Sequence, residues 1–112
     1  METIEGGSLL RIFVGESDEY EGRPLYEAIV LMLRREGLAG ATVFRGIEGF
    51  GASSTIHTAR VLRLSADLPV LIECVDQRSE VERVLPILDE MVTEGLVTIE
   101  KADVRIYRGR GR

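Results

Sequence analysis

A chain of 112 residues has room for one hydrophobic core, so a single domain is expected over residues 1–112. Hydrophobic residues make up 45% and charged residues 29%, which excludes a disordered chain and favours a folded, soluble one. The net charge of -5 excludes a general nucleic-acid binder, which needs a basic footprint, and no nucleic-acid partner is expected.

Leu9 to Val14 alternates, with Leu10, Ile12 and Val14 on one face and Leu9, Arg11 and Phe13 on the other, and reads as a first strand. Gly15 to Arg23 is an acidic connection, whose Glu16, Asp18, Glu19 and Glu21 read as solvated charges. Pro24 suits the first turn of a helix, where its missing N–H is not needed. Leu25, Ala28, Ile29, Met32 and Leu33 then form a stripe at helical spacing, and Gly37 is a C-terminal cap. A second strand is expected from about Ala41 to Glu48.

The strand runs into Gly49-Phe50-Gly51, where glycine permits close backbone approach to another group. Beyond it lies a polar stretch with Ser53, Ser54, Thr55 and the single histidine, His57. Its second half, with Ile56, Val61, Leu62 and Leu64, reads as a continuation of the third strand or a short packed element. Pro69 opens a largely buried third strand, Val70 to Val75. Ser79 and Glu82 have capping-box spacing ahead of a second helix with Val81, Val84, Leu85, Leu88, Met91 and Val92 on one face. Pro86 should kink that helix and Gly95 should end it. Leu96 to Tyr107 is the last strand, with a break expected near Ala102 and Asp103.

The order βαββαβ implies an α+β, ferredoxin-like domain: a four-stranded antiparallel sheet with two helices on one face. The other face would carry Leu9, Phe13, Leu71 and Val75. Apolar residues there predict burial against another subunit.

Several residues are candidates for chemistry. The backbone N–H groups from Gly49 to Ser54 can form an anion nest, with the Ser53 and Ser54 hydroxyls as further donors. The same glycines could merely turn the chain. Arg45 alternates with apolar neighbours beside the hinge, which implies a buried or interfacial partner. Thirteen arginines against one lysine, Lys101, suit ion-pair networks and phosphate contacts alike. Arg105, Arg108, Arg110 and Arg112 make a basic tail, either a solvated terminus or an anion site. Lone Cys74 reads as a buried small hydrophobe, and His57 has no cysteine or second histidine to complete a metal site. No Gly-x-Ser-x-Gly elbow is present, so no catalytic residue and no metal ligand is assigned, and an enzyme is not expected. Met1 to Ser8 lacks the apolar core of a signal peptide, and the expected location is the cytoplasm.

The stretch Gly40 to Thr58, with Gly-x-Thr-Val, then Gly-Phe-Gly, then a His-Thr pair, resembles the PII signalling proteins, most closely their PII-like relatives catalogued as a domain of unknown function. By element order the resemblance covers nearly the whole chain. It implies a homotrimer with its sheets facing inward and ligand clefts between subunits. Such clefts would bind an adenine nucleotide or another small anion, and the loop after the second strand would signal to a membrane transporter or channel. Ligand-binding residues carried over or read at the hinge are Arg45, Gly49, Phe50, Gly51, Ser53, Ser54 and His57, with Arg108 as a phosphate contact. Where PII proteins continue with Arg-Gln-Lys, this chain has Ala52-Ser53-Ser54, so sensing of 2-oxoglutarate is not implied. The alternative is a small enzyme or metal-tolerance protein on the same trimeric fold.

Overall fold

A computed structural model describes residues 1–49, 57–58 and 68–109. The elements are β1 (Glu2–Gly15), β2 (Glu19–Tyr20), β3 (Arg23–Pro24), α1 (Leu25–Arg35), β4 (Thr42–Arg45), β5 (Glu48–Gly49), β6 (His57–Thr58), β7 (Pro69–Asp76), α2 (Arg78–Met91) and β8 (Leu96–Ile106). Four of them build the antiparallel sheet β4-β7-β1-β8. The ferredoxin-like α+β architecture follows, with both helices on one face. No helix among the described residues is long and apolar enough to cross a membrane.

Strict alternation places Leu10, Ile12 and Val14 of β1 and Val70, Ile72 and Cys74 of β7 under the helices. They meet Leu25, Ala28, Ile29, Met32 and Leu33 of α1 and Val81, Val84, Leu88 and Met91 of α2. Each fully buried Leu, Ile or Met in this layer contributes about 1.5–3 kcal/mol by leaving water. Helix α1 ends as its sequence indicates. Gly37 takes φ 85°, its N–H bonds to the Arg34 carbonyl at 3.1 Å, and Leu38 N–H bonds to the Leu33 carbonyl at 3.1 Å.

Four local expectations are corrected. The Ser79–Glu82 capping box does not form, because α2 starts two residues earlier and Ser79 already lies inside it. Gln77 is its N-cap and donates its N–H to Asp76 Oδ1 at 2.6 Å. The other oxygen of this buried carboxylate accepts Ala39 N–H at 2.8 Å, so one side chain ties the start of α2 to the end of the α1–β4 turn. Helix α2 ends at Met91, not at Gly95, with Val92 as its cap. Strand β8 runs unbroken past Ala102 and Asp103. The irregularity falls on its partner, where Glu5 and Gly6 of β1 bulge opposite Asp103. Asp103 Oδ1 accepts the bulged Gly6 N–H at 2.8 Å. The acidic connection holds a β2–β3 hairpin, with Glu19 paired to Pro24 and Tyr20 to Arg23. Pro24 is thus the N-cap of α1, one residue ahead of its first turn.

Candidate functional site

The expected second strand divides into two at the hinge. Strand β4 stops at Arg45, and β5 leaves the sheet to pair with β6, Glu48 against Thr58 and Gly49 against His57. Pro69, the first residue of β7, is the pivot. Gly46 donates its N–H to the Pro69 carbonyl at 2.7 Å. A Cβ on Gly46 would lie 2.7 Å from Pro69 Cγ, and one on Gly49 would lie 3.0 Å from the same atom. The close approach that glycine permits here is thus made to a proline ring of the same chain. Gly46 and Pro69 carry the bend, and no local signal marks them, because they are brought together by strand pairing.

The β1–β2 connection closes the same end of the sheet. Glu16 N–H bonds to the Leu68 carbonyl at 2.8 Å, and Gly15 N–H bonds to Asp18 Oδ2 at 2.9 Å. Arg45 reaches Glu16, Nη2 lying 2.8 Å from Oε2 and 2.9 Å from Oε1. Within the chain the partner of Arg45 is the half-buried Glu16, 24% exposed, whereas Arg45 itself is 55% exposed because β4 is an edge strand. Glu16 and Asp18 are structural, not merely solvated.

The face opposite the helices adjoins this hinge. The registers align Phe44, Leu71, Phe13 and Leu96 in one row across all four strands. Phe44 is 47% and Leu96 57% exposed. The next row is polar. Arg11 Nε lies 2.9 Å from Glu73 Oε2, and Arg11 Nη1 lies 2.9 Å from Glu100 Oε1. The hydrogen bond that Arg11 donates to Glu73 and the field of both carboxylates raise the arginine pKa above its ordinary value. Beyond this row Leu9 pairs with Val75, and Ile4 with Val104.

Of the sequence-derived candidates, Arg45, Gly49 and the backbone of His57 come together at the hinge end. Arg108 does not join them. It follows β8 and pairs with Glu2, Nε to Oε1 at 2.6 Å, whereas the hinge lies at the Gly15 end of β1. Phe50, Gly51, Ser53, Ser54, Ile56, Val61, Leu62, Leu64, Arg110 and Arg112 lie outside the described residues. Among the described residues no group of three or more His, Cys, Asp or Glu could hold a metal ion. Cys74 is 1% exposed, and burial, aided by Asp76, pushes its thiol up to about 11.

Similarity to known proteins runs along the whole core. Residues 7–104 match the model of the DUF190 family, described as "Uncharacterized ACR". A UPF0166 protein of Methanocaldococcus jannaschii is 42% identical over 102 residues, covering 90% of this chain and 92% of that protein. One from Aquifex aeolicus is 37% identical over 98 residues, covering 86% and 90%. Among solved structures, CPII, a nitrogen regulatory PII-like protein from Thiomonas intermedia K12 bound to ADP, AMP and bicarbonate, superposes with a TM-score of 0.65 at 17% identity, over 92% of this chain and 91% of that one. The same protein bound to ADP and bicarbonate gives 0.58 at 16% identity, over the same shares. At such identities the likeness concerns the fold, whereas the two sequence relatives and the family model concern descent. The chain belongs to the DUF190 family, and its fold is PII-like.

Proposed function

We propose that the protein is a PII-like regulator that assembles as a homotrimer through its open sheet face. In this reading it binds a nucleotide or other small anion, an adenine nucleotide foremost, in inter-subunit clefts beside the hinge. The segment after β5 would then report occupancy to a membrane transporter or channel from the cytoplasm.

The observation that carries the reading is the Phe44-Leu71-Phe13-Leu96 row. An antiparallel sheet with helices on one side ordinarily turns a polar face to water. Here the row of four apolar side chains ends at the hinge, so covering it with a second copy would bring that copy to the hinge. The ligand class rests on chemistry and on analogy. Glycine-rich backbone offers N–H donors to anions without a cationic side chain, which suits an acidic protein. Arg45 is exposed and could exchange Glu16 for a phosphate. The structural neighbour CPII holds ADP, AMP and bicarbonate.

Two measurements test this reading. Light scattering at tens of micromolar should give three times the chain mass, and a monomer would refute the assembly. Calorimetry with ATP, ADP, AMP and bicarbonate should give saturable heat with at least one, weakened about tenfold in Arg45→Gln. No heat with any of them at about 1 mM, the weakest affinity worth the name of a site, would refute the ligand.

A further inference from the structure

The helical side of the sheet carries a second concavity. The β2–β3 hairpin closes the seam between α1 and α2 and leaves a cleft of about 360 Å³. That is near the lower end of the roughly 300–1,000 Å³ typical of ligand pockets, a size for a small metabolite. Leu31, Met32, Ile87 and Met91 give it an apolar lining. Met32 and Met91 are buried in the core, whereas Leu31 is 41% exposed although it sits on an amphipathic helix.

Four charges of both signs border this lining: Glu21 and Arg23 from the hairpin, Arg35 from α1 and Glu90 from α2. On α2 the arginines are tied to carboxylates, Arg83 to Glu36 and Glu80 at 2.8 and 2.9 Å and Arg78 to Glu82 at 2.6 Å. Among the described residues Glu21, Arg23 and Glu90 make no ion pair, and Arg35 approaches only Glu36, at 3.8 Å. Glu21 also takes φ 50° in the hairpin turn, with Gly22 at 83°. Asparagine or glycine fills such a slot with less strain. Here the turn places a carboxylate at the cleft.

We propose that this cleft binds a zwitterionic amino acid with an aliphatic side chain. Its carboxylate is taken by Arg23 and Arg35, its ammonium by Glu90 and Glu21, and its side chain lies on Leu31, Met32, Ile87 and Met91. The charge set selects the class. A simple anion would meet two glutamates, and a simple cation two arginines. A neutral apolar molecule would desolvate all four without pairing any. The inference is independent of the nucleotide reading, because it uses neither the hinge nor the open sheet face.

The test is calorimetry on the full chain with L-leucine, its 2-oxo acid and the amine that lacks its carboxylate. L-Leucine should give saturable heat, and each analogue should bind about tenfold or more weakly, a loss of about 1.4 kcal/mol. Glu90→Gln and Arg35→Gln, both at exposed positions, should each weaken leucine about tenfold while leaving ADP heat unchanged. The proposal is overturned by an absence of saturable heat with L-leucine, L-isoleucine and L-methionine up to about 10 mM. Equal binding of either analogue, or leucine binding unaltered in both variants, overturns it as well. Leucine heat with no heat from ATP, ADP, AMP or bicarbonate would refute the hinge ligand alone.

Discussion

Replacing Gly46 by alanine tests the hinge at its pivot. The added Cβ would stand 2.7 Å from Pro69 Cγ, closer than real Cβ contacts come, and a tight 3.2 Å from the Pro69 carbonyl oxygen. Either the proline ring or the end of β4 must shift, and both are held by the Gly46 N–H bond to Pro69 at 2.7 Å. Overpacking of this kind costs about 1–3 kcal/mol, and a weakened hydrogen bond adds about 0.5–1.5 kcal/mol. The expected loss is about 2–3 kcal/mol, or roughly 10 °C in melting temperature for a domain of this size. Gly40→Ala is the control, since a Cβ there meets nothing within 4 Å. Urea unfolding followed by circular dichroism measures both. If Gly46→Ala unfolds at the same urea concentration as Gly40→Ala, the Gly46–Pro69 contact does not hold the bend. Gly49→Ala, at 3.0 Å from the same ring atom, should fall between them.

Arg11→Leu should weaken self-association about tenfold in sedimentation equilibrium, because Glu73 and Glu100 lose the cation between them. Added Glu73→Gln should recover part of the loss, and an assembly as tight as wild type would place this row outside the interface. Pro86 sits inside α2, where it removes a backbone hydrogen bond, so Pro86→Ala should stabilise the fold by about 1 kcal/mol in urea unfolding, and a loss of stability would refute this. Asp103→Ala removes the acceptor of the bulged Gly6 N–H and should destabilise by about 1 kcal/mol, with faster hydrogen exchange at Gly6 than at Leu10 as the local sign.

Legibility in the sequence followed the range of each interaction. Strand β1 and the buried stripe of α1 announce themselves by period, because one face of each is taken out of water, whereas β7 shows as a continuous apolar run although only alternate residues of it are buried. The Gly37 stop was readable because the cap lies within a single turn. The Ser79–Glu82 pattern misleads because α2 begins at Arg78 with Gln77 as its cap, so Ser79 already lies inside the helix. The β2–β3 hairpin was hidden for a different reason: with two residues per strand and acidic composition, it has no apolar alternation to display. The irregularity shows in the sequence of β8 at Ala102 and Asp103 but falls on β1, since a register shift belongs to two strands at once. At the hinge, Arg45 and Gly49 are legible in the sequence, whereas the parts of Glu16 and Pro69 are not, because both arrive from distant parts of the chain.

The position of Cys74 makes the core report on its own opening. The single thiol of the chain lies at the middle of an inner strand, 1% exposed, and its ionisation is pushed up to about 11. Folded molecules therefore present almost no thiolate to a labelling reagent at neutral pH, and reaction waits for β7 to come free of the helices. With reclosing faster than labelling, the rate of modification divided by that of an unfolded peptide gives the population of opened molecules directly. An assembly that covers β7 from its other face, or a ligand that braces Pro69 at its start, would slow this clock. The thiol thus reads occupancy and association in one signal, with no substitution in the protein.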